Sequence, residues 1–308
     1  MAPLQYHAGQ IEVQAEANAR HLADQMAHWV GPAFEFAERA DLLLFAAPDT
    51  DGMLQFDLIS GPAPLVRANG DGSMQLLPEA AHRFRDAVYG VLAMNLAEAR
   101  RSRINGTIRV TNAGASLDVA EPFTLCRKYL ARSVGQGSEV RIGPAATEAI
   151  AIDDAWAVAT IAAADTSFLA SITPDGAPDV AHRGGPAGFL DFDPAQRRLV
   201  WTEYVGDGVF KSAGNIRATG RMSLLVPDFA TGDAVLITGN ARYTNERVLR
   251  SARNDALEQH DRAHPPQGRI ECDIEAVLRL RDAIQPRELL AASARVSSAS
   301  SIDEQMPQ

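Results

Sequence analysis

Apolar residues recur with a helical period through the first part of the chain. Between residues 8 and 40 they fall near one face of a helix, at Ile11, Ala15, Leu22, Met26 and Val30. Pro32 follows, and proline lacks the backbone N–H that a helix interior needs. The pattern therefore predicts a helical segment that ends or restarts at Pro32.

Beyond Leu42 the apolar runs become short and are separated by turn sequences, as in antiparallel strands. In this part of the chain strands are predicted at 42–45, 54–59, 73–77, 103–112 and 115–120, and a short helix over 79–88. The turns contain Asp-Gly and Asn-Gly pairs, such as Asp51-Gly52 and Asn69-Gly70. The first half of the chain is therefore predicted to be mainly β.

A segment poor in large apolar residues, 133–150, carries three glycines and a proline and marks the predicted domain boundary. The sequence after it predicts a helix over 152–164, a second set of strands that includes 269–276, and an arginine-rich surface helix over 246–261. Residues 291–308 are small and polar, which favours disorder. The predicted units are thus 1–135, 151–285 and a tail, 286–308.

The two halves of the chain share a sequence pattern. Residues 44–65 and 168–190 each contain an apolar strand, a turn ending in Asp-Gly, a strand with an aspartate, and Gly-Pro-Ala. Residues 103–110 (RINGTIRV) and 236–243 (LITGNARY) are also alike. We interpret this as an internal duplication of one β-domain, with chance similarity among turn-rich strands as the alternative. Two copies in one chain can pack like the subunits of a two-fold dimer.

Charge and composition exclude several classes of protein. The formal net charge of −10 argues against a broad nucleic-acid surface, which needs clustered basic residues. The apolar runs are too short to span a membrane, and the N-terminus lacks the pattern of a secretory signal, so a cytoplasmic location is expected. Cys126 and Cys272 have no metal-like spacing and are predicted to be free thiols, with a disulfide as the alternative.

The first candidate site is His182-Arg183, which follows a predicted strand and precedes Gly184-Gly185-Pro186. An arginine can pair with two phosphate oxygens, and glycines let a ligand approach the backbone closely. The alternative is that Arg183 is a solvated charge at a sheet edge and His182 a surface histidine.

The second candidate is the segment from Tyr204 to Asn215, where a strand ends in a glycine-containing turn and a helix is predicted to begin. We predict Asp207 or a neighbour as the N-cap of that helix. A helix N-terminus suits a phosphate, and Lys211 and Ser212 would add an ammonium and a hydroxyl group. The alternative is an ordinary strand-to-helix turn with one exposed lysine.

The third candidate is Cys126-Arg127-Lys128-Tyr129, just beyond the last predicted strand of the first half. Neighbouring cations can lower the pKa of a thiol, but a structural cysteine followed by a basic turn is the preferred interpretation. Dinucleotide, P-loop, zinc-protease and nucleophile-elbow motifs are absent from the sequence. The seven histidines are scattered, so no metal site is predicted.

Together these segments resemble the pyridoxamine 5'-phosphate oxidase-like, FMN-binding split-barrel flavoproteins, in particular the long members with two related halves. The resemblance runs from Tyr6 to about Arg281 and is carried by 182–189, 204–215, 227–233 and the Cys-Pro-Lys-Tyr-like element at 126–129. It implies a mainly β fold with flanking helices (α+β), made of two tandem antiparallel Greek-key split β-barrels that form a pseudo-dimer. The N-terminal helix and first half would occupy 1–135, and the second half, with the FMN site, 151–285.

The resemblance also implies which residues surround the cofactor, FMN. Arg183, Lys211 and Ser212 would hold its phosphate. His182, Gly184 and Gly185 would lie near the ribityl chain or the ring. Asn215 and Asp228 would complete the surround, and Lys128 and Tyr129 would approach from the other half. The chain departs from the family pattern at Asp207, where the long members have asparagine, and at Arg127, where they have proline.

The resemblance implies an FMN-dependent oxidoreductase that passes hydride or electrons between a nicotinamide donor and a small-molecule acceptor. No residue is assigned as a catalytic acid or base, because flavin hydride transfer does not require one. The alternatives are a non-catalytic flavin or haem binder, an electron-carrier module served by a reductase, and a cofactor-free barrel. The chain is expected to act on a small molecule, without nucleic acid or membrane, as a monomeric pseudo-dimer or a homodimer.

Overall fold

The computed structural model of the protein describes residues 3–112, 114–204, 206–246 and 254–290. In chain order the strands are β1 (Leu42–Pro48), β2 (Leu54–Ser60), β3 (Val66–Ala68), β4 (Ser73–Leu76), β5 (Ala87–Asn95), β6 (Arg100–Thr111), β7 (Gly114–Thr124), β8 (Ser133–Gly135), β9 (Arg141–Gly143), β10 (Ala146–Ala149), β11 (Thr166–Ile172), β12 (Pro178–Gly184), β13 (Asp191–Asp193), β14 (Arg198–Tyr204), β15 (Arg221–Pro227), β16 (Ala234–Thr244), β17 (Pro266–Arg281) and β18 (Arg287–Leu289).

The helices lie at the N-terminus and between the strands. They are α1 (Ala8–Glu16), α2 (Arg20–Ala27), α3 (Ala33–Glu38), a 3₁₀ helix (Pro78–Arg83), α4 (Ala155–Ala163), α5 (Lys211–Thr219) and α6 (Asp255–Ala263). Among the described residues, no helix is both long and apolar enough to cross a bilayer.

Two antiparallel sheets have the same strand order. The first sheet runs β3-β4-β7-β6-β5-β1-β2, with β9 on the β2 edge, and the second runs β13-β14-β17-β16-β15-β11-β12, with β10 beside β17. The register matches as well, because the first residue of β1 pairs with the last of β2 and the first of β11 with the last of β12. The predicted fold, a mainly β chain with two tandem split-barrel halves, is confirmed.

A glycine breaks the register at the same place in both halves. The pairing of β6 with β7 shifts between Asn105 and Gly106, and that of β16 with β17 shifts between Thr238 and Gly239. A Cβ at Gly106 would lie 2.1 Å from a backbone oxygen of the neighbouring strand, and one at Gly239 would lie 2.2 Å away. Both positions therefore need glycine for the close backbone approach of a bulge. These bulges align the two halves residue by residue.

The halves pack on each other through apolar residues of β1, β2 and β5 on one side and β11, β12 and β15 on the other. Leu44, Leu92, Phe168 and Leu225 belong to this shared core cluster and are fully buried. Burial of apolar area contributes about 25 cal/mol per Å², so this interface stabilises the pseudo-dimer as a core does. The edge of this interface, between β6 and β12, opens into a cavity.

Several predicted elements differ from the structure. The helical segment at 8–40 is three helices, and Pro32 is the N-cap of α3, where the restart was predicted. The helix predicted over 79–88 is wrong: it is a 3₁₀ helix that ends at Arg83, after which β5 begins at Ala87. Strand β5 was not predicted because its residues 89–94 are buried on both faces, so apolar and polar residues do not alternate along it.

The segment 133–150 contains β8, β9 and β10, which are short strands held by partners distant in sequence. Residues 287–289, which the sequence assigns to the tail, form β18 and pair with β8. The predicted tail at 291–308 and the start of the predicted helix at 246–261, residues 247–253, lie outside the described residues.

Candidate functional site

A cavity lies where the two halves meet. Its second-half wall is formed by β12, by the end of β14 and the turn after it, and by the N-terminus of α5. Its first-half wall is formed by the start of β6 and by the segment that follows β7. Residues of both halves therefore line one cavity.

The N-terminus of α5 points its free donors at this cavity. Phe210, the N-cap, has a left-handed backbone (φ 51°), no side chain caps the helix, and its first turn contains no acidic residue. The backbone N–H groups of Lys211, Ser212 and Ala213, which all line the cavity, donate no hydrogen bond within the described residues. The Ser212 hydroxyl is buried there and also has no partner within them. This end of the helix is built to receive an anion.

Helix α1 holds α5 in place. The Gln10 side chain donates to the Asn215 Oδ1 at 2.9 Å, and the Gln14 side chain donates to the carbonyl of Val209 at 2.8 Å. The helices cross so closely that a Cβ at Gly214 would lie 2.4 Å from the Cα of Gln10. The N-terminal residues of the chain thus fix the anion-binding end of a helix in the second half.

Two cations in the cavity are each paired with a carboxylate. Arg183 contacts Glu203 at 2.6 Å, and Lys211 contacts Glu121, from the first half, at 2.5 Å. Burial raises the pKa of Glu121, but the Lys211 ammonium beside it brings that pKa below its usual value. The Glu203 carboxylate also accepts from the Trp201 indole at 2.7 Å. These pairs hold the cations at the cavity wall.

His182 is a neutral histidine at the cavity. Burial, followed by the positive charges of Arg101 and Arg183, lowers its pKa well below the usual value. Its Nε2 is buried and has no hydrogen-bond partner within the described residues. The imidazole therefore offers one uncharged polar atom to a ligand at neutral pH.

Aromatic side chains form the remaining wall. Phe189, Trp201, Tyr204 and Tyr129 line the cavity. The rings of Tyr129 and Tyr204, one from each half, lie 5.7 Å apart. His264, which follows α6, lies edge-on to Tyr129 at 4.9 Å. A flat apolar ligand would find ring faces here, beside the polar helix end.

The structure brings most of the predicted site residues together. His182, Arg183, Gly184, Lys211, Ser212 and Tyr129 line the one cavity. Four others do not line it. Gly185 packs against Phe189, and Lys128 offers its carbonyl to Arg101.

The remaining two predicted residues, Asn215 and Asp228, make structural contacts. The buried Asn215 amide bonds to Gln10 and to the Ser171 hydroxyl, which joins α5 to α1 and β11. Asp228 lies in the turn between β15 and β16, where its carboxylate accepts from backbone N–H groups of that turn and from the Trp156 indole.

The N-cap of α5 is Phe210, three residues after Asp207, the residue named in the prediction. Asp207 lines the cavity, but its carboxylate accepts from the N–H of Val209, in the turn before the helix. The helix begins later, at Lys211, because Phe210 takes the left-handed conformation that turns the chain into it. The absence of a capping side chain leaves the helix donors free.

Sequence reasoning missed two cationic residues at the site, Arg101 and Arg103. They lie on alternate positions of β6, so both project to one face of the sheet. The duplication contained a signal: counted from the bulge glycines, the same positions of β16 are Ala234 and Leu236. Two arginines at positions that are apolar in the other copy indicate a function in one half.

Comparison with known proteins gives structural likenesses only. No protein-family model and no curated protein matches the chain. A solved FMN-binding protein from Syntrophomonas wolfei is 11% identical over 41% of this chain and 88% of its own, with a TM-score of 0.28. A Clostridium acetobutylicum protein related to general stress protein 26, of the pyridoxinephosphate oxidase family, is 9% identical over 45% of this chain and 94% of its own, with a TM-score of 0.31.

General stress protein 26 from Bacillus anthracis is 14% identical over 44% of this chain and 94% of its own, with a TM-score of 0.30. Each of these three likenesses covers between 41% and 45% of this chain. The assignment of the fold rests on the strand order of this chain.

Proposed function

We propose that the protein binds FMN in the cavity between its halves and uses it as an oxidoreductase that acts on a small molecule. The observation that carries this proposal is the N-terminus of α5 at the cavity, where three backbone donors and the buried Ser212 hydroxyl have no hydrogen-bond partner among the described residues. A buried polar group without a partner costs about 1–3 kcal/mol, which a bound phosphate would offset.

The charges of the cavity fit a phosphate ester. Its second-half wall carries two cations, Arg183 and Lys211, beside the N-terminus of α5. Arg183 and Lys211 would pair with the phosphate, as the resemblance of the sequence implies. Because Glu203 and Glu121 already hold these two cations in place, the cations lose little conformational freedom when the phosphate binds.

The rest of the cavity fits the flavin. Phe189, Tyr204 and Tyr129 supply aromatic surface, and the Nε2 of His182 supplies one uncharged polar contact. Bound FMN would supply the chemistry, by taking up and giving away hydride or single electrons. The protein would bind and orient it and keep water from its ring.

The first test is the absorption spectrum of the protein after incubation with excess FMN and desalting. We expect the visible flavin bands to stay with the protein. Lys211→Ala and Arg183→Ala should each weaken FMN binding by about tenfold or more, because a hydrogen bond to a charged group contributes about 1.5–3 kcal/mol. Reduction of the bound flavin by NADH or NADPH would support the oxidoreductase part of the proposal.

The matched control is riboflavin, which lacks the phosphate and should bind the two variants as it binds the natural protein. If FMN is lost on desalting, or if both variants keep the natural affinity, the phosphate site is wrong.

We also expect one FMN per chain, although the fold is duplicated. In β2, Leu58 and Ile59 stand where β12 has His182 and Arg183, counted from the strand ends. Leu58 packs with Ala234 and Leu236 in the apolar core, so apolar side chains fill the second cleft. The loop between β4 and β5 carries a 3₁₀ helix in place of α5. Calorimetric titration would measure how many FMN molecules bind per chain. Two per chain would contradict the expectation that only one of the two clefts binds FMN.

A further inference from the structure

Arg101 and Arg103 are two buried cations on the first-half wall of the cavity. They are 7% and 5% exposed, and they occupy alternate positions of β6, so both face the cavity. Burying a charge is costly unless it is paired and hydrogen-bonded. The partners of these two guanidinium groups therefore indicate what else they bind.

Arg101 has no carboxylate partner within the described residues. Its Nε donates to the carbonyl of Cys126 at 2.9 Å, and its Nη2 lies 3.5 Å from the Cys126 Sγ and 3.4 Å from the carbonyl of Lys128. Its Nη1 donates no hydrogen bond to any described residue. The charge of this buried side chain is thus left uncompensated at the cavity wall.

Arg103 is only partly compensated. Its Nε donates to the carbonyl of Val180 at 3.0 Å and lies 3.3 Å from Asp179. Neither terminal nitrogen donates a hydrogen bond within the described part of the chain. Asp179 is shared, because it also accepts from Asn105 at 3.0 Å. Its Cζ lies 5.4 Å from the centroid of the Phe123 ring, and its two terminal nitrogens, without hydrogen-bond partners among the described residues, could bind an oxyanion.

The fold itself does not require these arginines. The equivalent positions in the second half are Ala234 and Leu236, which are fully buried in the apolar core. One copy of the domain is therefore stable with small or aliphatic residues where the other copy buries two charges. The ion pair with the buried Asp179 accounts for part of the charge of Arg103, whereas no carboxylate among the described residues accounts for Arg101. A ligand is the physical reason that remains for Arg101 and for the unused donors of Arg103.

We propose that Arg101 and Arg103 bind an oxyanion, a carboxylate or phosphate group, of a second molecule that enters the cavity beside the cofactor. This inference rests on the proposed function, because it assigns the first anion, the flavin phosphate, to the N-terminus of α5. That helix end belongs to the second half and has its own donors, whereas the two arginines come from the first half. The substrate or acceptor is accordingly a small anionic molecule.

The test is an anion titration at constant ionic strength, with chloride as the background. Phosphate, sulfate, acetate and succinate are the probes, added to the FMN-loaded protein and followed by the change in flavin absorption, and added to the unloaded protein and followed by calorimetry. We expect Arg101→Gln to weaken binding of the best probe to the loaded protein by about tenfold or more. FMN affinity should stay the same, and Arg101→Lys should recover part of the probe binding.

Arg109→Gln is the matched control, because Arg109 lies on the same strand but is 58% exposed. It should leave both FMN and probe binding unchanged. If Arg101→Gln misfolds, Arg103→Leu, which introduces the residue found at the equivalent position 236, replaces it in the same titration. The relative affinities of the carboxylate and the phosphate or sulfate probes identify which oxyanion the arginines select.

Two results would overturn the inference. One is probe binding that Arg101→Gln and Arg103→Leu leave intact. The other is a loss of FMN affinity in Arg101→Gln without any loss for riboflavin, which would assign Arg101 to the flavin phosphate. The proposed function fails separately: if the natural protein does not bind FMN, calorimetry on the unloaded protein still tells whether a probe depends on Arg101 or on Ser212.

Discussion

Replacing Ser212 by aspartate is expected to abolish FMN binding while leaving the unloaded protein folded. Ser212 lies at the free N-terminus of α5, with its hydroxyl buried at the cavity and unpartnered among the described residues. A carboxylate there would occupy the place of the phosphate. Juxtaposed like charges cost several kcal/mol, so the affinity should fall by about a hundredfold or more.

The same substitution should not harm the fold. The first turn of α5 contains no acidic residue, and a carboxylate at a partly buried helix N-terminus can contribute up to about 2 kcal/mol, which offsets the cost of burying its charge. The variant should therefore lose FMN affinity and yet stay folded. This combination distinguishes an effect on binding from unfolding.

Calorimetric titration with FMN and a melting curve of the unloaded protein would measure the two effects. Ser212→Ala is the companion variant, and it should lose only about tenfold in FMN affinity, since it removes one hydrogen bond to a charged group. Riboflavin affinity should depend little on either change. Ser212→Asp protein that still prefers FMN to riboflavin would remove the helix end from the phosphate site.

The fold was largely predictable because its determinants are local and occur twice. Apolar runs separated by Asp-Gly turns indicated β1, β2, β11 and β12, and the turn sequences fixed their pairing. The likeness between 103–110 and 236–243 aligned β6 with β16, and the structure places a bulge glycine at the same point of each. Because of the duplication, the same strand pattern occurs twice in the sequence, and each copy supports the prediction from the other.

Elements that depend on distant partners were not predictable. Strand β5 is buried on both faces and therefore lacks the alternation that marks a strand exposed on one face. Strands β8 and β18 are three residues long and exist because they pair with each other across the whole second half. Neither segment carries a local signal of that pairing.

The residues of the site also fall into a group that local sequence predicts and a group that it does not. His182, Arg183, Lys211 and Ser212 stand in local motifs of the second half, and all of them line the cavity. Arg101 reaches the cavity only because the halves pack together, and its flanking sequence gives no indication of this. The carboxylates that pair with Arg183 and Lys211 are likewise set by tertiary contacts, one of them across the halves.

Loss of the Arg287 side chain is expected to lower the free energy of unfolding by about 3 kcal/mol, the lower end of the range for breaking a buried ion pair. The side chain is 0% exposed and contacts the Asp41 carboxylate at 2.6 Å. It also donates to the hydroxyl of Ser133 at 2.8 Å and to its carbonyl at 3.0 Å. One residue near the end of the described chain thus ties β8 to the start of β1. The lower end of the range applies because Asp41 is 18% exposed and can be partly hydrated once the guanidinium is removed.

Denaturant unfolding of Arg287→Ala and of Arg141→Ala would measure this effect against a matched control. The Arg141–Asp282 pair has the same 2.6 Å separation but is exposed, and exposed pairs are worth about 0–1 kcal/mol.

Two truncations extend the comparison. A chain that ends at Leu290 keeps Arg287 and should melt like the full chain, as the composition of 291–308 predicts. A chain that ends at Gln285 loses both Arg287 and β18, so its melting temperature should fall sharply. Equal stability of the two truncated chains would mean that the buried guanidinium does not hold the first half to the end of the second.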